Sequence, residues 1–216
     1  MRFIQVLMIT AAGLAAASAP AAGQTRPVDC IAAVVEGAAI SRFDVETAEA
    51  IGLFGPIGTS DAAARRMAVL DRFIDQKLIL DQVRSAPAAD AAAVDTEWRR
   101  LSARIGPEAL AARLGRLGLG EVDLRPYLEE RVRCRRIVEE RFGRTISVSL
   151  REIEAYYADT YVPARRAEGR AAQPLVDVLD AIEAEIKKAK IEAQATAWVD
   201  GLREQGEVEI RRDCLR

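Results

Sequence analysis

The sequence predicts a mainly α protein with a small antiparallel sheet formed by an N-terminal hairpin and a C-terminal strand. Three observations lead there. The chain is half hydrophobic, much of that alanine, with 5% aromatic and 30% charged residues, a composition that packs as helices. Apolar residues recur at helical spacing through most of its length. Short β-leaning runs lie near the two ends.

Ile31–Val35 and Ala38–Ile40 flank Glu36-Gly37, two strand-like runs around a two-residue, Gly-containing turn, which reads as a hairpin. Ser41 followed by Asp44 has the pattern of a capping box and opens a helix to about Phe54, ended by Gly52, Gly55, Pro56 and Gly58. Ser60 or Asp61 starts a second helix, with Met67, Leu70, Ile74 and Leu78 on one stripe, ending near Ser85. Val94, Trp98, Leu101 and Ile105 repeat that spacing in a third. Pro107, suited to a first helical position, opens a fourth to about Leu117.

A fifth helix runs to Phe142, with Pro126 placing its regular start near Asp123. Ser149 and Glu152 form a second capping box for a sixth helix to about Tyr161. Val162 to Gln173, polar and basic between prolines, reads as a linker. The last helix spans about Leu175 to Gln205 and a strand, Val208 to Arg212, follows. That helix carries Leu175, Leu179, Ile182 and Ile186 on one side. Ile191, Ala195, Trp198 and Leu202 lie nearly opposite, so it must pack on different neighbours along its length.

The start of the chain has the order of a secretory signal peptide over residues 1–23: Arg2, an apolar run from Phe3 to Ala17, then small residues. Cleavage is expected after Ala22 or Gly23. The alternative is an N-terminal helix of the folded domain. No later run approaches the ~20 apolar residues of a membrane span, so no membrane insertion of the mature chain is expected. Domain organisation follows: residues 24–161 as a helical domain, 162–173 as linker, and 174–216 packing back onto that domain.

The chain has no histidine and a net charge of −2. Ser-His-Asp and Cys-His catalysis and histidine metal ligation are excluded. Three separated cysteines make no zinc or thioredoxin-like pair. No catalytic residue, metal or cofactor is expected. The fifth helix carries Arg125, Arg131, Arg133, Arg135, Arg136 and Arg141, but Glu121, Glu129, Glu139 and Glu140 offset them, a solvated face rather than a nucleic-acid site.

Cys30 and Cys214 flank the first and last strands. If these pair antiparallel with 30 opposite 214, Val34 faces Ile210, and both lie on the cysteine side. An oxidising compartment would preserve a disulfide between them; the alternative is two unpaired thiols. Cys134, mid-helix, reads as a small core residue. Arg131 and Arg135 fall on the apolar stripe of the fifth helix, and Asp81 on that of the second. A buried charge needs a partner, so an Asp81–Arg131–Arg135 cluster is expected, with an acid-binding pocket as the functional alternative. Phe54 and Ile57, and Leu114, Leu117 and Leu119, form two apolar segments among glycines. They either fold onto the core or bind unfolded polypeptide.

The ordered segments Ile31–Arg42, Val69–Asp81, Tyr127–Phe142, Ile146–Tyr157, Leu175–Ile186 and Trp198–Ile210 together resemble the N-terminal chaperone domain of SurA-type periplasmic proteins. Each motif alone is only an amphipathic helix; the ordered set carries the resemblance. In that family a parvulin-like prolyl isomerase domain commonly lies between the sixth helix and the last. Here the interval is Val162–Gln173, and the histidines typical of a parvulin site are missing. The resemblance implies a periplasmic, ATP-independent chaperone without the isomerase, whose partners are unfolded or partly folded polypeptides, outer-membrane protein precursors among them. A degenerate prolyl isomerase and a structural adaptor of an envelope complex are the alternatives.

Overall fold

The computed structural model describes residues 29–83 and 87–215. The leader expected over 1–23 and the helix end expected near Ser85 lie outside the described residues. The protein is mainly α with a three-stranded antiparallel sheet, as the sequence predicts.

β1 (Ile31–Val35) and β2 (Ala38–Ser41) form the hairpin. Glu36 and Gly37 both have positive φ, 48° and 79°. That is the backbone a two-residue turn needs to match the twist of its strands. β3 (Val208–Ile210) pairs with the other edge of β1, giving the order β2-β1-β3. Glu36 fastens the hairpin turn to the start of β3: its N–H donates to the Glu207 carbonyl at 3.0 Å and its Oε1 accepts from the Glu207 N–H at 2.8 Å.

The register differs by one residue from the expected one. Ile210 lies opposite Ala33, and Val34 faces Glu209. Ala32, Ala33 and Val35 are buried, while Val34 is only half-buried. The expectation assumed an extended strand through Arg212, whereas β3 stops at Ile210 and Arg212–Leu215 coil into a 3₁₀ turn. This tighter turn returns Cys214 to Cys30, and the two form a disulfide with Cα atoms 6.0 Å apart. Leu215, just beyond, is buried in the core.

α1 (Arg42–Ala50) opens with the expected capping box: Ser41 Oγ accepts from the Asp44 N–H at 3.1 Å, and Asp44 Oδ2 accepts from the Ser41 N–H at 2.8 Å. It ends short of Phe54 because Gly52 turns left-handed, φ 57°, and Leu53 N–H folds back onto the Ala48 carbonyl. α2 (Ala62–Asp81), capped by Asp61, is the central helix; it packs against α1 and both hairpin strands. Leu70, Ile74 and Leu78 are fully buried on it, with Val69 and Phe73 beside them.

α3 (Ala91–Ile105) is capped by Asp90, and α4 (Pro107–Leu117) has its proline in the first turn. α5 (Glu121–Phe142) begins two residues before Asp123, because the Asp123 carboxylate accepts from the Gly120 N–H at 2.7 Å and holds the first turn closed. α3 and α2 both pack on α5, burying Leu124 and Leu128.

α6 (Leu150–Tyr156) carries the second capping box, on Ser149 and Glu152. The helix does not stop at Tyr161. It widens into a π turn over Tyr157–Tyr161 and continues as α7 (Val162–Ala167). The ring of Pro163 crowds the carbonyl four residues earlier, and the wider turn accommodates it. The first half of the segment Val162–Gln173 is thus helix rather than linker, since Ala164 to Ala167 are good helix formers once the proline is admitted. The chain then reverses past Gly169 (φ 69°) into α8 (Leu175–Gln205), whose limits match the sequence reading. The N-terminal half of α8 packs on α6 to form an arm. The C-terminal half packs on α2 and α5. Arg203 fixes that end, its Nε donating to Asp75 at 2.7 Å and its Nη2 to the Asp71 carbonyl at 2.9 Å.

The disulfide closes a loop of 184 residues. Replacing both cysteines by serine is expected to lower unfolding free energy by about 3–5 kcal/mol, read from urea unfolding of oxidised parent and variant. Equal stabilities would show that the sheet and Leu215 alone secure the chain ends.

Candidate functional site

The two apolar segments fold mainly onto the core. Leu114 is 4% exposed and belongs to the main apolar cluster; Phe54, Ile57 and Leu119 are half-buried against that cluster, and Leu117 is half-buried. The Phe54 ring meets Phe73 edge-on at 5.0 Å, and the Arg131 guanidinium lies 5.4 Å from its centroid. Such contacts fix a ring in place.

Arg131 and Arg135 do enter an ion cluster, but its carboxylate is Glu97 of α3, not Asp81. Arg131 Nε donates to Glu97 Oε1 at 3.2 Å and Arg135 Nη2 to Oε2 at 2.6 Å. Asp81 is the last residue of α2, whereas Glu97 lies one turn from both Val94 and Leu101, on the side of α3 that faces α5. Glu97 is 7% exposed. Burial alone would raise its carboxyl, but the Arg135 hydrogen bond and the charges of Arg135 and Arg131 outweigh burial and hold it below its ordinary value. Burial lowers the Arg131 guanidinium; Glu97 opposes that shift, and crowding by Arg135 and Arg104 adds to it. Burial pushes the free Cys134 thiol up to about 12, the state of an inert core residue.

The arm has a different character. Its own core consists of Ile153, Val178 and Ile182. Around these lie half-buried side chains, among them Tyr156, Tyr157 and Tyr161 on α6 and its π turn and Leu175, Leu179 and Ile186 on α8. Tyr157 and Tyr161 stack with centroids 5.6 Å apart, and their hydroxyls donate to the carbonyl and the side-chain oxygen of Gln173. Val176, at the tip, is 79% exposed. Lys190 braces the base, reaching the Ser147 carbonyl at 3.0 Å and Glu152 at 2.5 Å. Sequence reasoning recognised the leucine and isoleucine stripe but not the tyrosines. Their spacing is helical, and they were legible as the facing side of the same stripe.

Among the described residues, no group of three acidic or cysteine side chains could hold a metal ion, and no helix is long and apolar enough to cross a membrane. No protein-family model matches the chain, and no curated protein matches it.

Because the Glu97 carboxyl lies below its unfolded value, its contribution to stability is complete above the ordinary glutamate value and is lost as pH falls through the depressed folded value. Glu97→Gln is expected to cost about 2 kcal/mol near neutrality and to flatten the acid limb of the stability–pH curve. Urea unfolding of parent and variant at descending pH measures both, and an unchanged acid limb would contradict the assignment.

Proposed function

We propose that this protein is an ATP-independent chaperone of the SurA type, working in the periplasm without a prolyl isomerase module and binding unfolded polypeptide reversibly. The observation that carries the reading is the arm. Around three buried residues the arm has only partly covered tyrosine, leucine and isoleucine side chains on two antiparallel helices, and Val176 and Leu150 stand exposed beside them. Apolar patches of this kind are docking surfaces. Tyrosines provide contact area at low entropic cost and tolerate many sequences. Holding a client this way requires no covalent chemistry, in keeping with a chain that has no histidine. The arm is preferred as the binding surface because it carries the exposed Val176 and Leu150, whereas Phe54, Ile57 and Leu119 pack against the main core and Leu114 is buried in it.

The reading also rests on the sequence resemblance and on the arm's position. The π turn and reversal at 157–174 fall where SurA-type proteins commonly carry the isomerase domain. Fewer than ten residues join α7 to α8 here, far below the ~50 of a domain.

Replacing the exposed Leu150 and Val176 with serine is expected to weaken suppression of client aggregation about fivefold, equivalent to ~1 kcal/mol. The melting temperature should stay close to the parent's, since surface changes shift stability by ~0.5 kcal/mol or less. Light scattering of a diluted, chemically denatured client, run beside thermal unfolding, tests this. Unchanged suppression would reject the arm as the client surface.

A proline-limited refolding assay separates the isomerase alternative. The slow phase is expected to keep its buffer rate at every concentration of this protein, and acceleration would reject the holdase reading. Recovery of one stoichiometric partner, with no client binding, would instead identify an adaptor.

A further inference from the structure

Three arginines converge on one carboxylate, with a fourth beside them, at the junction of the α1–α2 loop, α3 and α5. Arg100, Arg104, Arg131 and Arg135 line a cleft of about 180 Å³ together with Glu97, and Leu53, Leu101 and Leu128 complete its walls. Glu97 neutralises one charge, leaving a formal excess of +3 in a concave space. Few of the guanidinium donors are committed. Arg104 is anchored to the Gly52 carbonyl, Arg131 and Arg135 each give one hydrogen bond to Glu97, and Arg100 stands 3.8 Å from that carboxylate. A guanidinium has five N–H donors in a planar fork that fits a carboxylate edge-on.

We infer that this cleft is a carboxylate-binding site, taking either an acidic side chain of a polypeptide or a free dicarboxylic acid. Excess positive charge between low-dielectric walls concentrates anions. The cleft is smaller than the ~300 Å³ at which pockets for drug-sized ligands begin, so the ligand is a small group. The leucines favour an anion with a carbon chain over phosphate. Arg131 and Glu97 form the rigid base. Arg100, 66% exposed and 3.8 Å from Glu97, is free to close over the ligand, while Arg135, held to Glu97 through Nη2, presents its remaining donors beside it. The inference does not depend on the chaperone reading: aggregation suppression is measured apart from it, and either can fail alone.

The test is fluorescence anisotropy of the full protein with a labelled, terminally blocked peptide carrying two aspartates among leucines, and with its asparagine counterpart. Succinate and inorganic phosphate serve as competitors. The aspartate peptide is expected to bind about tenfold tighter at low salt, the range a pair of charge-assisted bonds supplies. Arg100→Gln should remove most of that preference with the melting temperature unchanged. Arg135→Gln provides a second variant, its folding checked in the same way. Succinate should displace the peptide better than phosphate does. Succinate binding alone, without peptide discrimination, assigns the carboxylate to a free acid and upholds the site. Equal affinity for both peptides with no succinate competition overturns it, as does a preference retained in both variants or phosphate competing better than succinate.

Discussion

β1 can satisfy its backbone only by pairing on both sides, and one of its two partners is the last strand of the chain. The hairpin turn supplies β2 locally, but β3 arrives from beyond the 31-residue α8. The rest of the body is arranged around this requirement. Ala33 and Val35 are fully buried, α2 packs against the sheet, and the disulfide, the Glu36–Glu207 bonds and Leu215 all fix the returning end. Gly206 shows how close the approach is: a β-carbon there would lie 2.9 Å from Leu78 Cδ2 and 3.0 Å from Glu36 Oε1. Since contacts between distant parts of a chain carry a loop-closure cost before they bring any gain, the β1–β3 pairing is expected to form after the local β1–β2 hairpin.

Charge performs two different tasks in this structure. On α8, Arg203 and Lys190 bridge to α2 and to the segment before α6, and so clamp one long helix to two separate cores. On α5, arginines lie within the helix packing itself. Arg131 reaches Glu97 and the Phe54 ring together, which ties α3 and the α1–α2 loop to the central pair of helices. Arg141 lies 4.5 Å from the centroid of Trp198, where α5 meets α8. A flat cation against a ring joins polar and apolar surfaces without an unpaired buried group.

Features decided within four or five residues were legible in the sequence. Both capping boxes, the hairpin turn, the proline start of α4 and the limits of α8 are in this class, because each is set by adjacent residues: side-chain-to-backbone bonds in the boxes, positive-φ backbone in the turn, and proline or glycine at the ends of α4 and α8. The resulting helices and their buried stripes set the fold class. Features that depend on distant partners were less legible. The β1–β3 register slipped by one residue because the 3₁₀ turn before Cys214 has a different rise from a strand. The arginines on α5 were correctly placed among apolar neighbours, yet which carboxylate met them depended on the packing of α3, so Asp81 was read in place of Glu97. Pro163 predicts the end of α6 near Tyr161, whereas a π turn carries the helix past it. The open face of the arm depends on what fails to cover it, and no local pattern encodes that.

The arm tip and the disulfide together give the molecule a ring-like topology. Positions 30 and 214 are 6.0 Å apart between Cα atoms, while the reversal around Gly169 joins two helices through a loop held to the arm by tyrosine hydroxyls. Chain breaks are best tolerated where few contacts cross them. Joining the two cysteine positions by a short peptide and opening the loop at Gly169 would give a circular permutant beginning with α8. In that order β3 would precede β1 by a few residues, turning the slowest pairing of the sheet into a local one.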